Sequence, residues 1–253
     1  MFSSCIDELK QYTDQLIVSC DERLLNIFKR SFDKSISFVK KGFLVDEHHY
    51  DCQVPIGTAY GYLRQAENSF TDKRFPYLKT DPEKSNYLRD ILEKEANGRK
   101  IVGLSWRSNA HEDSGKRSLS LKDLVRELPD NILLVNLQYG DVSSELLNFE
   151  KATGQKIFCL DEIDNFNDLD DFCALIEACG TIVSIDNSTV HFAGALGAEC
   201  HILLPYSHTS DWRWGLHGTK ESNCYKKVHL YWQDIPSNWS TCFSNLKARL
   251  GSK

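Results

Sequence analysis

Polar residues cluster at one junction of the chain, where an apolar strand pattern meets a helix pattern of small residues. The strand pattern is TIVSI, and four polar residues follow it directly: Asp186, Asn187, Ser188 and Thr189. A helix that begins there presents unpaired backbone N–H groups and about half a positive charge, which together bind anions. His191 comes one turn later and is placed to donate to a phosphate oxygen. The junction predicts an anion site, although capping alone also explains Asn187 and Ser188.

Asp186 favours the functional interpretation of this junction. A carboxylate at the end of a buried strand is costly unless hydrogen-bond donors surround it. Backbone amides or a ligand are therefore expected to donate to Asp186. The alternative is a capped helix followed by a core histidine.

A second group of polar and cationic residues follows the earlier strand pattern KIVGLSW, residues 100–106. Ser105, Arg107 and Ser108 stand at its end, and Lys116 and Arg117 follow a flexible stretch. Arginine offers forked donors and lysine a mobile charge, so this set suits a phosphate or diphosphate. An ordinary solvated loop is the alternative, because Lys-Arg pairs are common on surfaces.

Two further strand ends carry less specific signals. Gln138 and Tyr139 follow the strand pattern NILLVNLQ and are candidates to present an amide and a ring to a nucleobase. A polar turn closed by Gly140 explains them equally well. The next end, LDEIDNFNDLDD, is acidic and is expected to be mostly helix capping and solvated surface. One carboxylate there, Asp161 or Asp164, is a candidate to accept from a ribose hydroxyl.

The last strand end, LLPYSHTSDWRWG, is aromatic. Trp212, Arg213 and Trp214 suit a lid or wall over a ligand. Alternatively, the two tryptophans simply close the edge of the hydrophobic core.

Strand patterns alternate with helix patterns through the second half of the chain and are almost continuously apolar: KIVGLSW, NILLVNLQ, KIFCL at residues 156–160, TIVSID, AECHILLP and VHLYW. This alternation is typical of a doubly wound, parallel α/β sheet, in which ligands bind at the carboxyl ends of the strands. The first half is less regular, with strand patterns in QLIVSC and SISFVKK. A polar helix from Glu83 ends at Asn97–Gly98, so two domains are predicted, residues 1–98 and 99–253.

Composition excludes several classes of protein. The chain has 253 residues, a net charge of -6 and a pI near 5.8, which argues against a general nucleic-acid binder. Its nine cysteines form no CxxC pair, so free thiols in a reducing compartment are expected and zinc is not. No run approaches the roughly 20 apolar residues of a membrane span, and the first residues do not resemble a signal peptide. A cytoplasmic location is predicted.

The motifs as a set resemble a known family. GLSWRSN, KRSLSL, LQYGD, DLDDFCALI, SIDNSTVHFAGALG and LLPYSHTSDWRWG occur in this order. The series resembles the glycosyltransferase-like domain at the C-terminus of many bacterial tetratricopeptide-repeat proteins. That domain is similar to the lipopolysaccharide heptosyltransferases of glycosyltransferase family 9 and, more distantly, to O-linked N-acetylglucosamine transferases. The resemblance is specific within Lys100–Gly218.

The resemblance implies a GT-B fold, with two Rossmann-like domains that face each other across a cleft. It further implies inverting, metal-independent transfer from a nucleotide-diphosphate sugar, with no cofactor. Lys116 and His191 are then the catalytic residues, which stabilise the departing diphosphate and orient the donor. The resemblance also implies that further residues bind the donor, at its diphosphate or at its nucleotide moiety: Ser105, Arg107, Gln138, Tyr139, Asp186, Asn187, Ser188 and Thr189.

One departure from the family pattern concerns the acceptor side. Family members carry a glycine-rich GxGD-type loop before the segment that resembles MFSSCIDELK, and its acid is the proposed general base. The sequence here begins after that loop, so an incomplete N-terminal domain is expected, and the acceptor, glycan or protein, is not identified. The alternative function is a nucleotide-sugar-binding module without catalysis. A Rossmann-type oxidoreductase or a kinase is disfavoured, because neither GxGxxG nor GxxxxGK[ST] follows any strand.

Overall fold

The computed structural model describes residues 1–43, 46, 50–71, 76–108, 117–206 and 212–251. The amino-terminal part holds two parallel strands, β1 (Ile17–Cys20) and β2 (Ser37–Lys40), paired from Ile17 opposite Ser37. Both strands were predicted from their apolar runs. The helices of this part are α1 (Ile6–Leu9), α2 (Leu25–Ser31), α3 (Ile56–Leu63), α4 (Asn68–Thr71) and α5 (Pro82–Ala96).

The larger part is a parallel sheet with helices between its strands. Its strands are β3 (Lys100–Ser105), β4 (Ile132–Asn136), β5 (Thr181–Ile185), β6 (Glu199–Leu204) and β7 (Val228–Trp232). Their order across the sheet is β4-β3-β5-β6-β7, with every pairing parallel. The helices are α6 (Leu121–Arg126), α7 (Ser143–Thr153), α8 (Leu169–Cys179), α9 (Ser188–Leu196) and α10 (Ser240–Gly251). The predicted α/β architecture is confirmed.

A further strand predicted at residues 156–160 is reduced to a single bridge. Phe158 pairs with Val135 of β4, accepts from the Asn136 N–H and donates to the Leu134 carbonyl. The chain turns at Asp161 immediately afterwards, so the segment is too short for a longer ladder. With Phe158 placed beside β4, the strand order reverses between β3 and β5, which is where α/β sheets bind ligands.

Hydrophobic cores lie on both faces of this sheet. Alternate residues of β5 point to opposite faces, so Ile182 packs with α8 and α9 while Val183 packs with α6 and α10. Burial on both faces explains why the strands read as continuous apolar runs rather than alternating ones.

Acidic residues at the start of α8 join the two parts of the chain. Asp168 caps the helix by accepting from two backbone amides. Asp170 forms a two-pronged ion pair with Arg30, with N–O distances of 2.6 and 2.7 Å, and Asp171 pairs with Lys84 at 2.6 Å. The acidic stretch is thus largely structural, as expected from its position.

A buried histidine in β6 makes stability depend on pH. His201 is fully buried, its Nδ1 lies 2.9 Å from the Tyr231 hydroxyl, and burial lowers its pKa to about 3. Glu199 lies 3.6 Å from Nε2, but its side chain is too exposed to offset that burial. The unfolded chain binds the proton near pH 6.5 and the folded chain does not, so stability falls as pH drops from 6.5 toward 3.

At pH 5 we expect His201 to cost about 2 kcal/mol of unfolding free energy relative to pH 7. Urea denaturation at both pH values measures the loss, and His201→Gln is expected to reduce it by that amount. His191, described below, shifts in the same direction, so part of the dependence is expected to persist in the variant. An equal pH dependence in wild type and variant would contradict the assignment.

Candidate functional site

The site lies where β3 and β5 run side by side and their following segments diverge. Asn187, directly after β5, donates from Nδ2 to the hydroxyl of Ser105 at the end of β3, at 2.7 Å. The two residues are 82 positions apart in sequence. Both were predicted as donor-binding residues, and the fold brings them into contact.

Asn187 also fixes the start of α9. Its Oδ1 accepts from the Thr189 backbone N–H at 3.0 Å and from the Ser184 hydroxyl at 3.3 Å. The helix therefore begins at Ser188, which is exposed, with its first N–H groups at the carboxyl edge of the sheet. The Thr189 side chain is fully buried, and its Oγ1 has no hydrogen-bond partner among the described residues. Such unpaired buried hydroxyls are uncommon in folded proteins.

Gln138 holds the ends of β3 and β4 together. Its Oε1 accepts from the Ser105 hydroxyl and from the backbone N–H groups of Trp106 and Arg107, at 3.1, 3.0 and 2.8 Å. Its Nε2 donates to the carbonyls of Arg107 and Tyr139. Both amide atoms are engaged within the protein. A nucleobase contact, as predicted from sequence, would have to compete with these bonds.

Arg107 is directed toward the start of α7. Its guanidinium lies 3.4 Å from the Glu145 carboxylate and 3.3 Å from the Asp141 carbonyl. Glu145 is held in turn by the indole N–H of Trp106 at 2.8 Å. The buried Arg107 Nε has no partner within the described ranges. A diphosphate contact by Arg107 remains a prediction, one that would draw the side chain away from Glu145.

Two side chains contact Asp186, for which donation by backbone amides or by a ligand was expected from sequence. It is 7% exposed, its Oδ1 accepts from the Trp214 indole N–H at 2.9 Å, and its Oδ2 lies 3.4 Å from Arg117. Arg117 was considered with Lys116 as a phosphate ligand and Trp214 as part of a lid, but neither was expected to contact Asp186. The signal for Arg117 was present in the KRSLSL motif, but which cation reaches Asp186 depends on the course of the loop.

His191 packs against Trp214 and Tyr225. Its ring stacks on Trp214, with centroids 5.0 Å apart and planes inclined by 11°. Its Nδ1 lies 3.0 Å from the Tyr225 hydroxyl. Burial is the main reason that the pKa of His191 is lowered to about 3. The imidazole is therefore neutral at pH 7, and it can serve a ligand as a hydrogen-bond donor or acceptor but not as a cation.

An aromatic pair lies at the end of β4. The Tyr139 and Phe166 rings are 6.5 Å apart, and the guanidinium of Arg23 lies 5.2 Å from the Phe166 ring centroid. The neighbouring Asn165 donates weakly to the Asn136 carbonyl at 3.4 Å, while its buried Oδ1 has no partner in the described structure. Phe166 and Asn165 were not predicted, because the acidic segment around them was interpreted as capping and surface.

The remaining predicted residues have mixed outcomes. Lys116 falls outside the described residues. Trp212 is 58% exposed and Trp214 is 1% exposed, so one tryptophan of the pair lines the surface and the other closes the core.

Within the described part of the chain, no group of three or more His, Cys, Asp or Glu side chains is arranged to hold a metal ion. None of the helices described here is both long enough and apolar enough to span a membrane.

The parallel sheet with its strand reversal and the two-stranded second sheet define an α/β fold of the GT-B-like type. Among solved structures, the chain is similar to ADP-heptose lps heptosyltransferase II of E. coli. The TM-score is 0.52 at 15% identity, over 99% of this chain and 74% of that one. The predicted fold class is confirmed by this likeness.

Other comparisons give two further similarities. A glycosyl transferase family 9 protein from Veillonella parvula DSM 2008 has a TM-score of 0.48 at 10% identity, covering 92% of this chain and 66% of that one. Protein FlbA of Caulobacter vibrioides is 28% identical over 250 residues. That match covers 93% of this chain and 41% of FlbA, so the chain spans about two fifths of the length of this relative. No family model matches the sequence.

Proposed function

We propose that the chain binds a nucleotide-diphosphate sugar at the carboxyl edge of β3 and β5 and transfers its glycosyl group to an acceptor hydroxyl without a metal. The observation that carries this proposal is the Asn187–Ser105 contact, which joins the ends of β3 and β5 at the start of α9. Ser188, the first residue of this helix, is exposed at the carboxyl edge of the sheet. A phosphate there would accept from the first N–H groups of the helix.

The diphosphate is stabilised by fixed dipoles and by cations. The first turn of α9 contributes its N–H groups and the partial charge of the helix, and the neutral His191 contributes a ring N–H. Arg117 balances Asp186, so the Asp186 carboxylate does not repel the ligand as an isolated charge. Lys116, assigned from the family resemblance, supplies a mobile cation to the leaving diphosphate. Positive groups that are already in place stabilise the transition state because they need no reorganisation.

The nucleoside lies toward β4. Tyr139 and Phe166 provide ring surfaces, and the Asn165 Oδ1 is an acceptor that lacks a partner among the described residues. Gln138 acts indirectly, because its amide holds the backbone around Arg107 and Tyr139 in place. We propose Tyr139 as a ring contact of the nucleotide and Gln138 as its support.

Transfer consists of attack by an acceptor hydroxyl oxygen on the anomeric carbon. The new C–O bond forms as the bond to the diphosphate oxygen breaks, with inversion, and the leaving diphosphate carries away the electron pair. The hydroxyl proton passes to a base, which we do not assign to any residue of this chain. The second candidate, a binding module without catalysis, shares the same donor site and differs only in this step.

Calorimetric titration with ADP-, UDP- and GDP-sugars tests donor binding. We expect one of them to bind with a Kd between about 1 µM and 1 mM, the usual range for enzyme substrates. Lys116→Ala and His191→Ala are expected to weaken it, each by about 10-fold, as for loss of a hydrogen bond to a charged group. Lys122→Ala removes an exposed lysine on α6 and serves as the matched control, with unchanged binding expected.

Absence of binding by every nucleotide sugar would contradict the donor site. Release of free nucleoside diphosphate from the bound donor, measured by a coupled assay, distinguishes a transferase from a binding module.

A further inference from the structure

A glycine in α9 makes room for a tyrosine beside His191. Gly194 lies three residues after His191, and a Cβ at this position would come within 2.5 Å of the Tyr225 ring. The ring of Tyr225 therefore packs directly on the helix backbone, and the residue is 2% exposed. A glycine in a helix interior costs about 1 kcal/mol relative to alanine, and this close approach accounts for its presence.

The same packing brings the Tyr225 hydroxyl to His191. The hydroxyl lies 3.0 Å from His191 Nδ1, and the Trp214 ring covers one face of the imidazole. Trp214 is itself fixed by its hydrogen bond to Asp186. The imidazole is thus held both in its plane and across its face, whereas its Nε2 makes no hydrogen bond to any described residue.

The chemistry of the pair determines which atom donates. A phenol is a better proton donor than a neutral imidazole N–H, and the unprotonated ring nitrogen is a better acceptor than a phenol oxygen. The Tyr225 hydroxyl therefore donates, and the unprotonated His191 Nδ1 accepts.

We propose that Tyr225 is a positioning residue, which holds His191 in the Nε2–H tautomer and directs this N–H toward an acceptor oxygen of the ligand. This inference rests on the proposed function, since the acceptor oxygen belongs to the phosphate or sugar of the donor. The site then selects a ligand that accepts a hydrogen bond at this point. Tyr225 itself does not touch the ligand.

The tautomer is measured without any ligand, by ¹⁵N NMR of histidine-labelled protein, with the His191 signals identified from their loss in His191→Gln. Wild type is expected to show Nδ1 unprotonated and Nε2 protonated. Tyr225→Phe keeps the ring on Gly194 and removes only the hydroxyl, so His191 is expected to show averaged nitrogen shifts. Tyr231→Phe is the matched control: it removes the hydroxyl beside His201 and leaves the His191 shifts unchanged.

Wild-type His191 protonated on Nδ1, or unchanged nitrogen shifts in Tyr225→Phe, would overturn the proposal. Titration with ADP, UDP and GDP separates this failure from failure of the proposed function. Tyr225→Phe is expected to bind about 3- to 10-fold more weakly than wild type. If wild type binds none of the three, the donor site fails and the role of the tautomer falls with it. If wild type binds and Tyr225→Phe binds equally well, only the positioning role is wrong.

Discussion

Asn187→Asp is expected to lose nucleoside-diphosphate binding while retaining the stability of the wild-type chain. Aspartate caps a helix as well as asparagine does, so the bond from the Thr189 amide is kept. The substitution removes the Nδ2–H that reaches Ser105 and places a second carboxylate, after Asp186, beside the expected phosphates. Repulsion between the new carboxylate and the diphosphate predicts binding weaker by about 100-fold. Calorimetry and thermal melting measure the two properties separately.

Asn187→Ala gives the complementary result. It removes the cap without adding charge, so stability is expected to fall by about 1 kcal/mol, while binding weakens less than in Asn187→Asp. Wild-type affinity in Asn187→Asp would show that no anion binds at the start of α9. A large loss of stability in Asn187→Asp would instead show that the hydrogen bond to Ser105 has a structural role.

Gly194→Ala is expected to destabilise the chain, although alanine is normally the better helix residue. Helix propensity favours alanine by about 1 kcal/mol. The added Cβ would come within 2.5 Å of the buried Tyr225 ring, however, and overpacking of this kind costs about 1–3 kcal/mol, or more when the ring is confined. We expect the cost of overpacking to exceed the gain in helix propensity, so that the free energy of unfolding measured in urea falls by about 1–2 kcal/mol.

The matched control is Gly61→Ala in α3, where an added Cβ meets no atom within 4 Å. This variant is expected to be neutral or more stable by up to about 1 kcal/mol. Equal effects of the two substitutions would contradict the packing of Tyr225 on α9. In Gly194→Ala the displaced tyrosine is also expected to disturb the His191 nitrogen shifts.

Local patterns predicted most of the fold. Continuous apolar runs identified the five strands of the larger sheet, because strands buried on both faces leave little alternation. The acidic segment before α8 was expected to be mostly helix capping and surface, and Asp168 accepts from two backbone amides there. The run at residues 156–160 was assigned a full strand, because composition does not reveal how soon the chain turns away from its neighbour.

The site was predictable in position but not in its contacts. Polar residues at a strand-to-helix junction indicated where Asn187 and Ser105 would meet. Gln138 was expected to face a ligand, yet its amide is hydrogen-bonded to the backbone. The sequence did not predict this, because side-chain direction cannot be read from a single sequence. Trp214 and Tyr225 were missed as partners of His191, since they lie 23 and 34 residues away and only the tertiary fold brings them to it.

Amide NMR during titration with ADP, UDP and GDP tests directly whether a nucleoside diphosphate binds at the first turn of α9. We expect one of these ligands to shift the backbone amides of Ser188 and Thr189 most strongly. Smaller shifts are expected at Trp106 and Arg107, where Gln138 links the end of β3 to the site. Saturating ligand without shifts at Ser188 and Thr189, or with the largest shifts elsewhere on the chain, would contradict it.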